Sequence, residues 1–157
     1  MKARILSIFF AACAAAAFSE PSVNALNAAL DPSWGMKEIS DAVSQRDGGA
    51  SLPKDKFFLL TGRIGTIIDR SGESGPFLGE SELVSGEWIG FESVRAFRVY
   101  LKFNGTKFKD FVDKESSEFV KPGTLVVIIG SFIGTTKEYG SDKNAGVIKV
   151  ERLIKIE

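Results

Sequence analysis

The 157-residue chain sets 20 basic residues against 20 acidic ones and contains a single cysteine and no histidine. Without imidazole, Ser-His-Asp and Cys-His catalysis, His-ligated haem and zinc sites built on His are excluded. The even charge balance gives no global polybasic signature for nucleic acid or for an anionic membrane.

Lys2 and Arg4 open the chain, an apolar run from Ile5 to Phe18 is interrupted only by Ser7, and small residues follow at Val23-Asn24-Ala25. That order predicts an export signal peptide over residues 1–25, and hence a periplasmic or secreted protein. The run is about fourteen residues, short of the ~20 that a bilayer-spanning helix needs, and no later stretch comes close. The mature form is therefore expected to be soluble, with no transmembrane helix. Two rival processing sites stand beside this one. Phe10-Ala11-Ala12-Cys13 resembles the small-residue-then-Cys pattern at which bacterial lipoproteins are cut and acylated, although Ala14 to Phe18 continues apolar after it. Cleavage after Ala17 would leave a slightly longer mature start.

Cleavage after Ala25 removes Cys13, so the mature chain has no disulfide or thiolate and must hold together by its core. Removing Lys2, Arg4 and Glu20 takes two positive charges and one negative from a balanced chain, leaving about one net negative charge.

Residues 26–56 read as an N-terminal extension. Asp31-Pro32-Ser33 predicts the cap of a short helix through about Arg46, with Met36, Ile39 and Val43 on one face and Asp47-Gly48-Gly49 as its end. From Phe57 the pattern becomes strand-like through Ile68. Gly62 and Gly65 inside it predict strong bending, as in a barrel strand that serves two sides of a closed sheet. Ser71 to Ser81 reads as a mobile loop, and Glu87 to Phe91 as part of a second strand. The third strand is the clearest: Phe97, Val99, Leu101 and Phe103 alternate with Arg98, Tyr100 and Lys102. After the Asn104-Gly105 turn, Thr106 to Phe119 predicts a helix whose Phe108, Phe111 and Phe119 plug a barrel end. Pro122-Gly123 stops it. A buried strand from Thr124 to Ile133, a polar loop from Thr135 to Asn144 and a last strand from Gly146 to Ile156 complete the chain.

Three strands with a glycine-bent first member, a helix, and a fourth strand beginning Lys121-Pro122-Gly123-Thr124-Leu125-Val126-Val127-Ile128-Ile129-Gly130 resemble the oligonucleotide/oligosaccharide-binding barrel, the OB-fold. The resemblance covers about residues 57–157. It implies a mainly β protein: a five-stranded OB-like barrel with a helix between strands 3 and 4 and a short N-terminal helix. A small sandwich or an α+β roll is the competing architecture. Within the OB-fold the chain looks most like the exported bacterial domains grouped as tRNA-anticodon-binding-like. The exported OB-fold stress proteins are similar in topology, but their acidic, aromatic turn is not obvious here.

An OB-like barrel implies a ligand face on the second and third strands and adjoining loops. Arg98, Tyr100 and Lys102 would supply two cations and a stacking ring on that face, with Trp88 as a second stacking surface. The plain alternative is a solvated strand whose basic residues discourage edge pairing, and a core-edge tryptophan. The expected function is a non-catalytic, cofactor-free domain binding a glycan or an envelope protein. Nucleic acid is disfavoured by near-neutral charge and by export. The alternative is a metal-dependent secreted hydrolase, nuclease-like, using the carboxylates Asp69, Glu73, Glu80 and Glu82. These lack the spacing of a calcium loop, and a solvated, flexible loop is the plainer explanation of them. A third reading is a structural role in an envelope complex.

Overall fold

A computed structural model describes residues 29–45, 49–72 and 75–156. The export segment, Cys13, Arg46 and Glu73 lie outside the described residues. The elements are helix α1 (Met36–Ser44), strands β1 (Phe57–Ile64), β2 (Ile68–Asp69), β3 (Leu78–Gly90) and β4 (Ser93–Asn104), a 3₁₀-helix (Thr106–Phe111), and strands β5 (Leu125–Lys137) and β6 (Asn144–Lys155).

Five strands close into a ring. β1 lies antiparallel to β5, β5 to β6, and β3 to β4, while β4 and β6 run parallel from Val99↔Gly146 to Lys102↔Lys149. Closure occurs where β1 meets β3 at Arg63↔Val84 and Ile64↔Leu83. This strand order, with β2 as a short addition to β3, is that of the OB-fold. The first strand ends at Ile64, short of the expected Ile68, and leaves Gly65 outside it, but Gly62 lets it serve two neighbours as its sequence predicts. Arg63 pairs with Leu125 on one side and Val84 on the other, so β1 changes partner at this point. Gly62 allows the crossing, because a Cβ there would lie 2.6 Å from the Val84 carbonyl oxygen.

Period-two alternation builds the core. Phe97, Val99, Leu101 and Phe103 of β4 point inward with Phe58, Leu60 and Ile64 of β1, while Arg98, Tyr100 and Lys102 face outward. Each large apolar side chain buried this way contributes about 1.5–3 kcal/mol. Two plugs close the barrel ends. At one, α1 lays Met36, Ile39, Ala42 and Val43 against β4 and β6, with Trp34 beside Phe58. At the other, Phe108 meets Phe103 edge-on, with ring centroids 5.3 Å apart, and Phe111 packs behind it. Among the described residues, no helix is long and apolar enough to cross a membrane.

Three local expectations change. The helix predicted over Thr106 to Phe119 shrinks to the 3₁₀-helix. Beyond it, Asp113 accepts the Glu115 N–H and Ser116 Oγ accepts that of Glu118, side-chain bonds that compete with a helical backbone. The N-terminal helix starts later than expected, at Met36, capped by Gly35, whose N–H is accepted by Glu38 Oε2 at 3.0 Å. Asp31 instead takes the N–H and hydroxyl of Ser33. Finally, β3 begins at Leu78, inside the stretch read as a loop. Its inward residues there are Gly79, where Phe77 and Phe103 fill the space a Cβ would take, and Ser81, so no apolar alternation signals a strand.

Asp31 and Asp69 each accept hydrogen bonds from the serine two residues on, which hold both carboxyls below the usual aspartate range. Their anionic forms favour these turns, so the contribution is present above the ordinary pKa of about 3.9 and is lost as pH falls through the lower folded value. Side-chain carboxyl NMR titration should place both midpoints below that of an unstructured aspartate, and Ser33→Ala and Ser71→Ala should raise them.

Candidate functional site

The outward face of the β3–β4 ladder brings charges of opposite sign together. Glu80 lies directly across from Lys102 and Glu82 across from Tyr100. Lys102 Nζ stands 3.2 Å from Glu80 Oε1, and Arg70 Nε, from the segment after β2, approaches the other oxygen at 3.4 Å. Arg98 Nε faces Glu82 Oε2 at 3.1 Å without hydrogen-bond alignment. The two pairs on Glu80 are about half exposed, a setting in which an ion pair is worth no more than about 1 kcal/mol, whereas the Arg98 Nε that faces Glu82 is itself buried. A competing anion can therefore displace the Glu80 carboxylate.

Across from this ladder stands the β5–β6 hairpin. β5 continues to Lys137 and β6 begins at Asn144, so the stretch read as a polar loop keeps a six-residue turn over 138–143 and gives its ends to the two strands. Glu138 N–H donates to Lys143 O, and Gly140 takes φ 71° at the tip. The turn leans over the ladder: Tyr139 N–H donates to the Tyr100 hydroxyl at 3.0 Å, although the Tyr139 ring is 95% exposed. Between hairpin and ladder lies a cleft of about 630 Å³ whose walls include Glu80, Tyr100, Lys102, Thr136, Lys137 and Tyr139. A smaller hollow of about 240 Å³ shares Glu80, Lys102 and Ile133 with it and adds Arg70 and Lys149.

The structure thus brings Tyr100 and Lys102 together in the cleft and sets Arg98 one alternate position away on the same face. Trp88 is elsewhere. It pairs with Val94 near the far end of the ladder, six residues or roughly 20 Å along β4 from Tyr100, and is 74% exposed. Sequence reasoning missed Lys137, Tyr139, Arg70 and Lys149. The one available signal was an aromatic in the connection between the last two strands, where OB barrels carry a ligand-binding loop.

The acidic residues are not assembled as a metal centre. Glu80 and Glu82 face cations, Asp69 accepts the Ser71 N–H, and among the described residues no cluster of three or more potential ligands occurs.

Sequence comparison with known families and with curated proteins finds no match. Solved structures of similar shape include a Plasmodium falciparum SSB in complex with ssDNA (18% identity, TM-score 0.48, covering 64% of this chain and 94% of that one). The priB protein of Ralstonia solanacearum (16%, 0.42, 64% and 97%) and the single-stranded DNA-binding protein of Thermus aquaticus (16%, 0.46, 64% and 49%) are others. These neighbours correct the expected ligand and partners. Named as single-stranded DNA-binding proteins in two cases, they do not bear out the expected glycan or envelope-protein ligand, the hydrolase alternative, or the view that nucleic acid is disfavoured. Net charge averages over the molecule, whereas Lys102 and Lys137 line the cleft and Arg70, Lys102 and Lys149 the adjoining hollow.

Proposed function

We propose that the cleft between the β3–β4 ladder and the β5–β6 hairpin binds a short stretch of single-stranded nucleic acid. The supporting observation is the pair of tyrosines, Tyr100 and Tyr139, joined by a hydrogen bond and flanked by Lys102 and Lys137 in one 630 Å³ cleft. Aromatic rings offer faces on which bases stack regardless of sequence, and the cations track the backbone. Binding is expected to be modest and salt-sensitive, because phosphates must compete with Glu80 and Glu82 for Lys102, Arg70 and Arg98.

Fluorescence anisotropy with labelled oligo-dT tests this directly. Titrations across a salt series should give a log–log slope of about −2, the release expected for roughly three phosphates on a single strand. Absence of binding at low salt would remove the proposal. Glu80→Gln frees Lys102 and Arg70 from a competing carboxylate and should tighten binding severalfold.

We further propose that residues 1–25 are an export signal and that the chain belongs with the exported, tRNA-anticodon-binding-like OB domains. The supporting features are the charged start, the apolar run and the small residues before Leu26. Intact-mass measurement of protein processed by a secreting host should show a start at Leu26. An unprocessed chain, or acylated Cys13, would replace this reading.

A further inference from the structure

From Gly86↔Ala96 outward, β3 and β4 pair with each other as a two-stranded ribbon, past the last β1 partner at Val84 and the first β6 partner at Val99. A lone ribbon is marginal in water and normally hides its apolar side chains. This one displays them. Trp88 is 74% exposed, Ile89 62%, Phe91 fully and Val94 54%, gathered around the Gly90 turn. The cleft does not account for them, since they lie at the other end of the ladder.

Three features of the ribbon indicate what covers it. First, Trp88, Ile89 and Phe91 together expose on the order of 500 Å², less than the roughly 800 Å² that each partner of a stable protein interface buries. A second copy or a protein partner gains too little from so narrow a projection. Second, the charges on its arms are compensated within the molecule: Lys37 of α1 pairs with Glu87 at 3.0 Å, and Asp41 of α1 pairs with Arg95. Between those arms Glu92 is the one charged residue in the sequence. Third, the two ion pairs brace the ribbon against α1, which is itself packed on the barrel, so the tip is presented outward on a supported arm.

We propose that the Trp88-Ile89-Gly90-Phe91 tip is a membrane-contact element that inserts into the interfacial layer of a lipid bilayer. Trp88 sits at headgroup level, where its ring has an apolar face and an N–H donor, and Ile89 and Phe91 reach the acyl boundary. With one acid and compensated arms, the tip is suited to a zwitterionic surface. Its attachment owes little to basic residues.

The test uses the full chain carrying Trp34→Phe, which leaves Trp88 as the single tryptophan, and vesicles of phosphatidylcholine with or without brominated acyl chains. The expected result is a blue shift of Trp88 emission on vesicle addition and quenching by the brominated lipid, both little changed by salt or by added anionic lipid. Ile89→Ser with Phe91→Ser alters exposed positions only, so circular dichroism should report an intact fold while partitioning falls about tenfold or more. In the otherwise wild-type chain, Trp88→Phe should abolish the response. This readout separates the tip from the N-terminal apolar run: a chain that sediments with vesicles while Trp88 emission stays unchanged overturns the proposal. Concentration-dependent self-association in sedimentation velocity, lost in the Ile89/Phe91 variant, also overturns it and assigns the tip to a second copy.

Discussion

Gly62→Val is expected to lower the unfolding free energy by about 3 kcal/mol, the upper range for forcing bulk into a packed site. The added Cβ alone would stand 2.6 Å from the Val84 carbonyl oxygen and 3.0 Å from Leu83 Cγ. Relaxation is blocked from both sides. β1 pairs with Val126 of β5 through Gly62 itself, and Gly65 N–H is bound to Glu82 O at 2.9 Å three residues on. Separating β1 from β3 would open the ring, because Arg63↔Val84 and Ile64↔Leu83 are the pairs that close it. Urea unfolding should show a lower midpoint at constant slope, and the melting temperature should fall by roughly 10 °C. Gly72→Ala is the control, since no atom lies within 4 Å of the added methyl, and its midpoint should stay at the wild-type value.

Tyr139→Ala should weaken oligo-dT binding between about 5- and 150-fold, the range measured for losing one base-stacking ring. The ring is 95% exposed and packs against nothing that the fold needs, so stability should be unchanged. Tyr100→Phe separates stacking from positioning. It keeps the ring but removes the hydroxyl that accepts the Tyr139 N–H at 3.0 Å, leaving the hairpin tip unlatched. A severalfold loss is expected, smaller than for Tyr139→Ala. Equal affinities for wild type and Tyr139→Ala would take the hairpin out of the site.

The inner and outer faces of β4 were legible because every inward position from Phe97 to Phe103 is large and apolar. β3 was not, since it spends two inward positions on Gly79 and Ser81, and a strand without apolar alternation looks like a loop. Arg98, Tyr100 and Lys102 could be named from their shared parity, but parity says nothing about distance. Trp88 has the same parity as its partner Val94 and still lies roughly 20 Å from Tyr100. Tyr139 and Lys137 were illegible for a different reason: they are about forty residues from Tyr100 in sequence, and only the parallel pairing of β4 with β6 brings their hairpin over the ladder.

The sequence by itself determined the absence of imidazole chemistry, the mainly β character, the glycine that lets β1 serve two neighbours, and the alternation that turns Arg98, Tyr100 and Lys102 outward. These are consequences of residue type and of period two along one strand, and both are local. The tertiary structure alone decided that Lys102 and Arg70 share Glu80, that Tyr139 is tethered to Tyr100, and that Trp88 stands apart on a projecting ribbon. Each of these depends on strand register and ring closure, which are set by contacts distant in sequence and leave no periodic trace within a single segment.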